Sequence, residues 1–425
     1  MKLSGVRTSL SKRLDSLKET GFFHIFGAST INKILGVVLS FVLVRILPQA
    51  EYGVYAYALN IANYFLILNG LGVVSAILQI CSEEHKDEIK ANSFFVYGYK
   101  WGAIVDCFIA GGMLFISIFV PLAIPESNTI LSLLCLYPLS VLLFTIKVTR
   151  LRVQLNNRDY AISTVTQTVL MVIFSLVGVL TFQAAGLVVG QIASYFIAYL
   201  IMCVRFPFKG INRQPLDEQE KTNFWKISII SAITEGLSQA LSLIGTFLTG
   251  LLLASDTLVA IYQASTMIPF GLLFIPSAIV TYIYPYFARN KNDANWTRAN
   301  YKKLTMYTFV GMAAITLAIC LLAEPIVLFI FGEPYREAIP ILRILMIAFL
   351  VASTFRQIPG NLLVTQWKLK TNTVIALISI IVNVLSSLLL IPNFGVYGAA
   401  WSYVLTIGFN SMLSTGMYIR TIRNL

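Results

Sequence analysis

The sequence predicts an all-α polytopic membrane protein: twelve transmembrane helices in two six-helix repeats of like orientation, set around a central cavity. Three observations carry this. Of the 425 residues, 57% are apolar and only 12% charged, and the mean hydropathy is +0.78, whereas a soluble domain has about 25% charged residues. The chain also divides into a series of apolar runs of about 20 residues or more, the length a helix needs to cross a bilayer. Finally, pieces of the first half recur in the second: Gly53-Val-Tyr55 falls on Ala260-Ile-Tyr262, and Gly190-Gln-Ile-Ala-Ser-Tyr195 falls on Gly398-Ala-Ala-Trp-Ser-Tyr403.

Residues 1–20 place Leu3, Val6, Leu10, Leu14 and Leu17 at helical spacing among Lys2, Arg7, Lys12, Arg13 and Lys18, the pattern of an amphipathic tail on the cytoplasmic surface. The run after it is too long for a signal peptide and has no small-residue cleavage site, so it is the first span. Spans are expected near 22–46, 52–80, 95–121, 128–147, 160–183, 185–204, 225–253, 256–287, 304–331, 337–364, 371–391 and 396–419. Their odd-numbered connections are short, such as Pro48–Glu51, the turn around Gln183, and Pro392–Gly395. The longest connection, residues 206–223, contains Pro207, Gly210 and Pro215 and falls at the midpoint. It separates an N-terminal half, 21–205, from a C-terminal half, 224–425.

Charge sets the orientation. The amino tail holds five Lys or Arg, and the even-numbered connections hold three, four, five, five and two. With Arg420 and Arg423, 26 of the 31 lie on one side, while the other has only Arg45 and Arg336. Both termini are therefore expected in the cytoplasm, and an even number of spans agrees. The net charge of +12 is accounted for by this asymmetry, so no nucleic-acid partner is implied. The five cysteines are isolated and odd in number, and two histidines leave little for a metal site. A membrane enzyme such as a polysaccharide polymerase would place its chemistry in a sizeable outer loop, and every outer connection here is under about ten residues on these boundaries.

The Lys33-containing first span, the turn LPQAEYGVYAYA (Leu47–Ala58), the twelve spans and FGVYGAAWSYV (Phe394–Val404) resemble the O-antigen (Wzx-type) flippases of polysaccharide biosynthesis. These belong to the multidrug/oligosaccharidyl-lipid/polysaccharide (MOP) exporter superfamily, whose MATE-like fold is built from two such halves. The resemblance implies a transporter in the bacterial inner membrane. It would carry an undecaprenyl-pyrophosphate-linked oligosaccharide from the cytoplasmic to the outer leaflet by alternating access, beside a polymerase and a chain-length regulator. A multidrug or organic-cation exporter of the same superfamily is the competing reading.

Ionisable groups inside a bilayer cost several kcal/mol unless paired or hydrated. The candidates within the spans are Lys33, Asp106, Glu235, Arg343 and Arg356, while Glu324 lies close to the outer end of the ninth span, at the interface. Lys33, Arg356 and Arg343 are candidate cations for an anionic lipid headgroup; the alternative is a structural pair, for instance Lys33 with Asp106 or Glu235. Asp106 and Glu235 are candidates for a coupling H+ or Na+, and equally for neutralising a basic residue. Asn60, Asn63 and Tyr64, matched by Gln263, Ser265 and Thr266, would hydrogen-bond sugar hydroxyls or join helices. Pro269, Pro276 and Pro359 would permit bends. No cofactor and no metal are expected.

Overall fold

The computed structural model describes residues 22–84, 87–207, 212–366 and 368–424. The expected amphipathic tail lies outside the described residues, as does part of the 206–223 connection. Over the described residues the chain is helical and contains no strand. In a bilayer a spanning backbone must satisfy its own N–H and C=O groups, and for apolar runs of about 20 residues the helix is the structure that does so.

The first helix, α1, runs Phe22–Ile46, as expected. It is followed by α2 (Gln49–Leu66), α3 (Val73–Glu83), α4 (Glu88–Phe119), α5 (Glu126–Leu133), α6 (Tyr137–Val153) and α7 (Asn157–Arg205). The second half comprises α8 (Glu218–Leu253), α9 (Asp256–Leu272), α10 (Phe274–Arg289), α11 (Ala294–Leu321), α12 (Ala323–Ile330), α13 (Ala338–Val351), α14 (Gln357–Thr365) and α15 (Leu369–Arg423). Asp87, Asn156, Ser255 and Asp293 cap α4, α7, α9 and α11 by accepting a backbone N–H three residues on.

Nine segments among the described residues are long and apolar enough to cross a membrane, and α8 adds a pair bent by 49°. Two of the nine are hairpins. In α7 the backbone leaves helical geometry at Phe182 and Gln183 (φ 51°), and Gly178 and Gly190 then lie against the carbonyls of Gly186 and Phe174. In α15 it does so at Gly395 (φ 57°). The returning arm is zipped by Ser387 to Ser402 (2.8 Å), Asn383 to Thr406 (3.1 Å) and Asn410 to Ser379 (2.7 Å). Counting both arms of each hairpin and the bent pair once, the described residues make twelve crossings.

The hairpins also correct the repeat register. Gly186 follows the turn residue Gln183 by three positions, and Gly398 follows Gly395 by three, each packing on a carbonyl of the outgoing arm. Gly398 is therefore level with Gly186, not with Gly190. The start of the repeat, where α2 and α9 begin at Gln49 and Asp256, keeps the expected offset.

Several spans depart from continuous helices, and two of these breaks bear on the candidate residues. The second span breaks at Asn69–Gly72, where Gly70, Leu71 and Gly72 take φ of 53°, 49° and 77°. Glycine enters this left-handed region freely, and Leu71 is held there by its neighbours. The tenth contains a π-turn at Ala352–Arg356, with Gln357 N–H bonding Ala352 C=O. Its cause is local. Pro359 has no N–H for the carbonyl of Phe355, four residues back, and its ring crowds that carbonyl. The Thr415 hydroxyl on α15 donates to Phe355 C=O instead (2.9 Å), and Ser411 donates to Val351 C=O (3.5 Å).

The chain forms two compact units. One comprises the described residues up to Ile46, Phe65–Val120 and Thr129–Ile233; the other comprises Leu47–Tyr64, Pro121–Asn128 and Thr234–Leu425. The first is packed around Val73, Ile77, Phe94, Leu142, Ile146 and Phe224. The second is packed around Val280, Tyr301, Ile358, Leu362 and Tyr418. Within this second unit Gly53 packs so closely on Asp256 that a Cβ would meet its carbonyl, and Ser127 donates to Val54 C=O (3.1 Å).

Candidate functional site

The π-turn ends on Arg356 and turns it into a cavity of about 450 Å³ inside the second unit. The wall is polar where the neighbouring spans are apolar: Ser277, Gln357, Asn361, Asn372, Asn410 and Ser414 line it, with Leu237, Leu241, Leu273 and Ile375. Several of the amides are already held. Gln357 Nε2 donates to Ser277 Oγ (2.5 Å), Asn361 Nδ2 to Gln357 C=O (2.8 Å) and Asn372 Nδ2 to Gly360 C=O (2.6 Å). Asn410 Oδ1 accepts from Ser414 (3.2 Å). Such bonds fix side-chain direction and leave the remaining donors and acceptors of each group for a guest.

Among the described residues no carboxylate lines this cavity, and the Arg356 guanidinium forms no ion pair or hydrogen bond. An unneutralised guanidinium at membrane depth is costly. It offers five donors in a planar fork that matches a phosphate or carboxylate. The arrangement can therefore hold an anion beside hydroxyl-rich groups.

A second, smaller cavity of about 160 Å³ lies in the same unit. Here the two matched polar clusters of the sequence meet: Asn60 and Asn63 from α2, and Gln263 and Thr266 from α9, joined by Ser242 and Thr246 from α8. Asn60 is 5% exposed; its Nδ2 donates to Leu243 C=O (3.1 Å), while its Oδ1 has no partner. Thr246 donates to Gln263 Oε1 (2.9 Å). Tyr64 does not line the cavity and packs edge-on against Phe247, centroids 5.7 Å apart. Ser265 bonds the carbonyls of Ile261 and Ala338 and is part of the packing.

The remaining candidates stand apart from these cavities. Lys33 is exposed on α1 in the first unit, and Glu235 is exposed on α8 in the second. Arg343 is also exposed, with its Nε donating to Cys320 C=O (3.1 Å), so it braces α13 to α11. Asp106 is fully buried in the first unit. Its Oδ1 accepts the N–H of Gly70 (2.7 Å) at the break between α2 and α3, and its Oδ2 has no partner. Ser228 secures the same break by donating to Leu71 C=O (2.5 Å).

Of the residues around Arg356, sequence reasoning named only the arginine. Asn361, Asn372 and Asn410 are single amides in or beside apolar runs, a weaker signal than a charge. The proline at 359 was the available pointer, since it required some hydroxyl to serve the freed carbonyl.

A family model described as polysaccharide biosynthesis protein matches residues 42–340. No curated protein matches the sequence. Among solved structures, the chain is similar to a multidrug resistance MATE family transporter of the MOP superfamily in an inward-facing conformation (TM-score 0.74, 11% identity, covering 92% of this chain and 95% of that one). It is similar to the lipid II flippase MurJ in an inward closed conformation (TM-score 0.74, 13% identity, 94% and 89% covered). A MOP superfamily transporter from Pyrococcus furiosus, described by the reverse polarity of its binding pocket, is a further neighbour (TM-score 0.57, 12% identity, 95% and 93% covered). At these identities the likeness is one of fold.

Proposed function

Because the chain belongs to the polysaccharide biosynthesis protein family, and has the fold of MOP-superfamily transporters, we propose that it flips an undecaprenyl-pyrophosphate-linked oligosaccharide repeat unit. Movement is from the cytoplasmic to the outer leaflet, by alternating access, for O-antigen or another surface polysaccharide. The observation that carries the reading is Arg356, a cation without a carboxylate partner in an amide-lined cavity among membrane-crossing helices. A pyrophosphate entering a low-dielectric interior loses its hydration. Attraction to a fixed guanidinium offsets part of that loss, on the order of 4 kcal/mol for unit charges about 4 Å apart at an effective dielectric of about 20. Asn361, Asn372 and Asn410 then have the donors and acceptors that sugar hydroxyls require. The free Oδ1 of Asn60, with Asn63, Gln263 and Thr266, forms a second patch of the same chemistry.

An exported organic cation would call for carboxylates in the wall, and neither Asp106 nor Glu235 lines either cavity. In this reading Asp106 and Glu235 serve H+ or Na+ coupling. Lys33 is a further contact for the headgroup, and Arg343 braces its helix. The protein works in the bacterial inner membrane with both termini in the cytoplasm, beside a polymerase and a chain-length regulator.

The test is Arg356→Ala and Arg356→Lys in cells that display the polysaccharide. Arg356→Ala should abolish surface polysaccharide at unchanged membrane level, with lipid-linked repeat units accumulating on the cytoplasmic leaflet. Arg356→Lys keeps the charge but not the fork and should retain part of the activity. Normal polysaccharide in Arg356→Ala, combined with heightened dye sensitivity, would replace the flippase reading with drug export.

A further inference from the structure

A groove of about 610 Å³ runs along the second unit between α11 and the carboxyl end of α15. Its length is apolar, formed by Met306, Phe309, Phe355 and Ile419 above the buried edge-on pair Tyr301 and Tyr418 (centroids 4.8 Å apart). Met306, Phe309 and Ile419 are 63%, 41% and 40% exposed, so this face is left uncovered by the unit's own helices. One end carries three cations from two elements, Arg298 and Lys302 on α11 and Arg423 on α15. No carboxylate lines the groove, and none of the three cations forms an ion pair among the described residues. By the positive-inside rule this is the cytoplasmic end.

A cation cluster beside an open apolar channel has the polarity of one lipid: a phosphate at the membrane surface and an acyl chain below it. The geometry points to a binding site for an anionic glycerophospholipid of the inner leaflet. Its phosphate sits among Arg298, Lys302 and Arg423, and one acyl chain lies along Met306, Phe309, Phe355 and Ile419. The positive-inside rule alone explains basic residues scattered over a loop, but not their convergence from separate helices on one groove. The lipid's chain reaches the π-turn from behind. Phe355 is the residue before Arg356, and its carbonyl is held by Thr415, which also lines the groove. This site is independent of the identity of the transported substrate.

The test is native mass spectrometry of the purified full chain in detergent, titrated with phosphatidylglycerol or with phosphatidylcholine of the same acyl chains. The wild type should retain phosphatidylglycerol in preference. The triple variant Arg298→Ala/Lys302→Ala/Arg423→Ala should lose that retention by about two orders of magnitude, and Lys302→Ala alone by about fivefold, if each cation contributes the usual amount near a membrane surface. Lys303→Ala, next in sequence but outside the groove, should match the wild type and keeps the test readable if the triple variant misfolds. Equal retention of the two lipids, or equal losses in Lys302→Ala and Lys303→Ala, would overturn the site. Displacement of phosphatidylglycerol by undecaprenyl phosphate at equal concentration would overturn its occupant.

Discussion

Substitution of Asp106 separates a structural carboxylate from a coupling one. In the folded chain Asp106 Oδ1 accepts the Gly70 N–H at 2.7 Å, and its Oδ2 is buried without a partner. Asp106→Ala removes the only acceptor shown for that N–H, and leaving a buried donor unpaired costs about 1–3 kcal/mol. Asp106→Asn keeps an oxygen at the Oδ1 position and puts a neutral amide where a desolvated carboxylate would stand. Its stability should therefore fall within about 1 kcal/mol of the wild type, or above it. Thermal unfolding in detergent gives the ranking, and surface polysaccharide in cells gives the function. If Asp106 takes up and releases a proton, Asp106→Asn will be stable and inactive; if it only secures the break at Gly70, Asp106→Asn will be stable and active. Loss of stability in Asp106→Asn equal to that in Asp106→Ala would refute the reasoning, since an acceptor oxygen facing Gly70 would then not be what secures the break.

Lys33→Ala should abolish surface polysaccharide at normal protein level; an undiminished polysaccharide signal excludes Lys33 from the transport path. Thr415→Val leaves the Phe355 carbonyl without its hydroxyl donor and should lower stability by about 1 kcal/mol, with a larger loss of transport as Arg356 is released from position. Activity unchanged in that variant would mean that the π-turn does not orient the arginine. Gly178→Ala drives a methyl into the Gly186 carbonyl and should destabilise by about 1–3 kcal/mol, whereas Gly408→Ala, with nothing within 4 Å of its added carbon, should be neutral; equal melting temperatures would contradict the close packing of the hairpin arms. Gly395→Ala meets no atoms but keeps φ at 57°, so a loss of about 1–2 kcal/mol should come from backbone strain alone.

Hydropathy made most of the fold legible. Span ends such as Phe22, Ile46 and Leu253 are where apolar runs meet polar residues, and the turns at Gln183 and Gly395 lie in the connections marked by short polar or glycine-bearing stretches. The break at Asn69–Gly72 was less visible. Its Asn-Gly-Leu-Gly run is a turn signal, but it sits inside an apolar stretch long enough to be read as one helix. Burial was not legible at all for the charges. Asp106 and Lys33 occur in similar apolar contexts, yet one is sealed behind Gly70 and the other is exposed. That difference is decided by which face each helix presents to its neighbours, and apolar runs with no polar face carry no phase. The amides around Arg356 were hidden for a related reason. They come from positions up to 49 residues apart, from Asn361 to Asn410, and only tertiary packing brings them to one wall.

The polar zipper in α15 bears on how the protein is made. Asn383, Ser387, Thr406 and Asn410 would each weaken the partitioning of an isolated segment from the translocation channel into lipid. Paired as they are across the turn at Gly395, the two arms cancel one another's polarity before either meets hydrocarbon. The hairpin is thus expected to insert as a single unit. A ribosome that stopped at the turn would leave an arm whose Asn383 and Ser387 lack their partners across it, a segment that quality-control proteases are expected to remove.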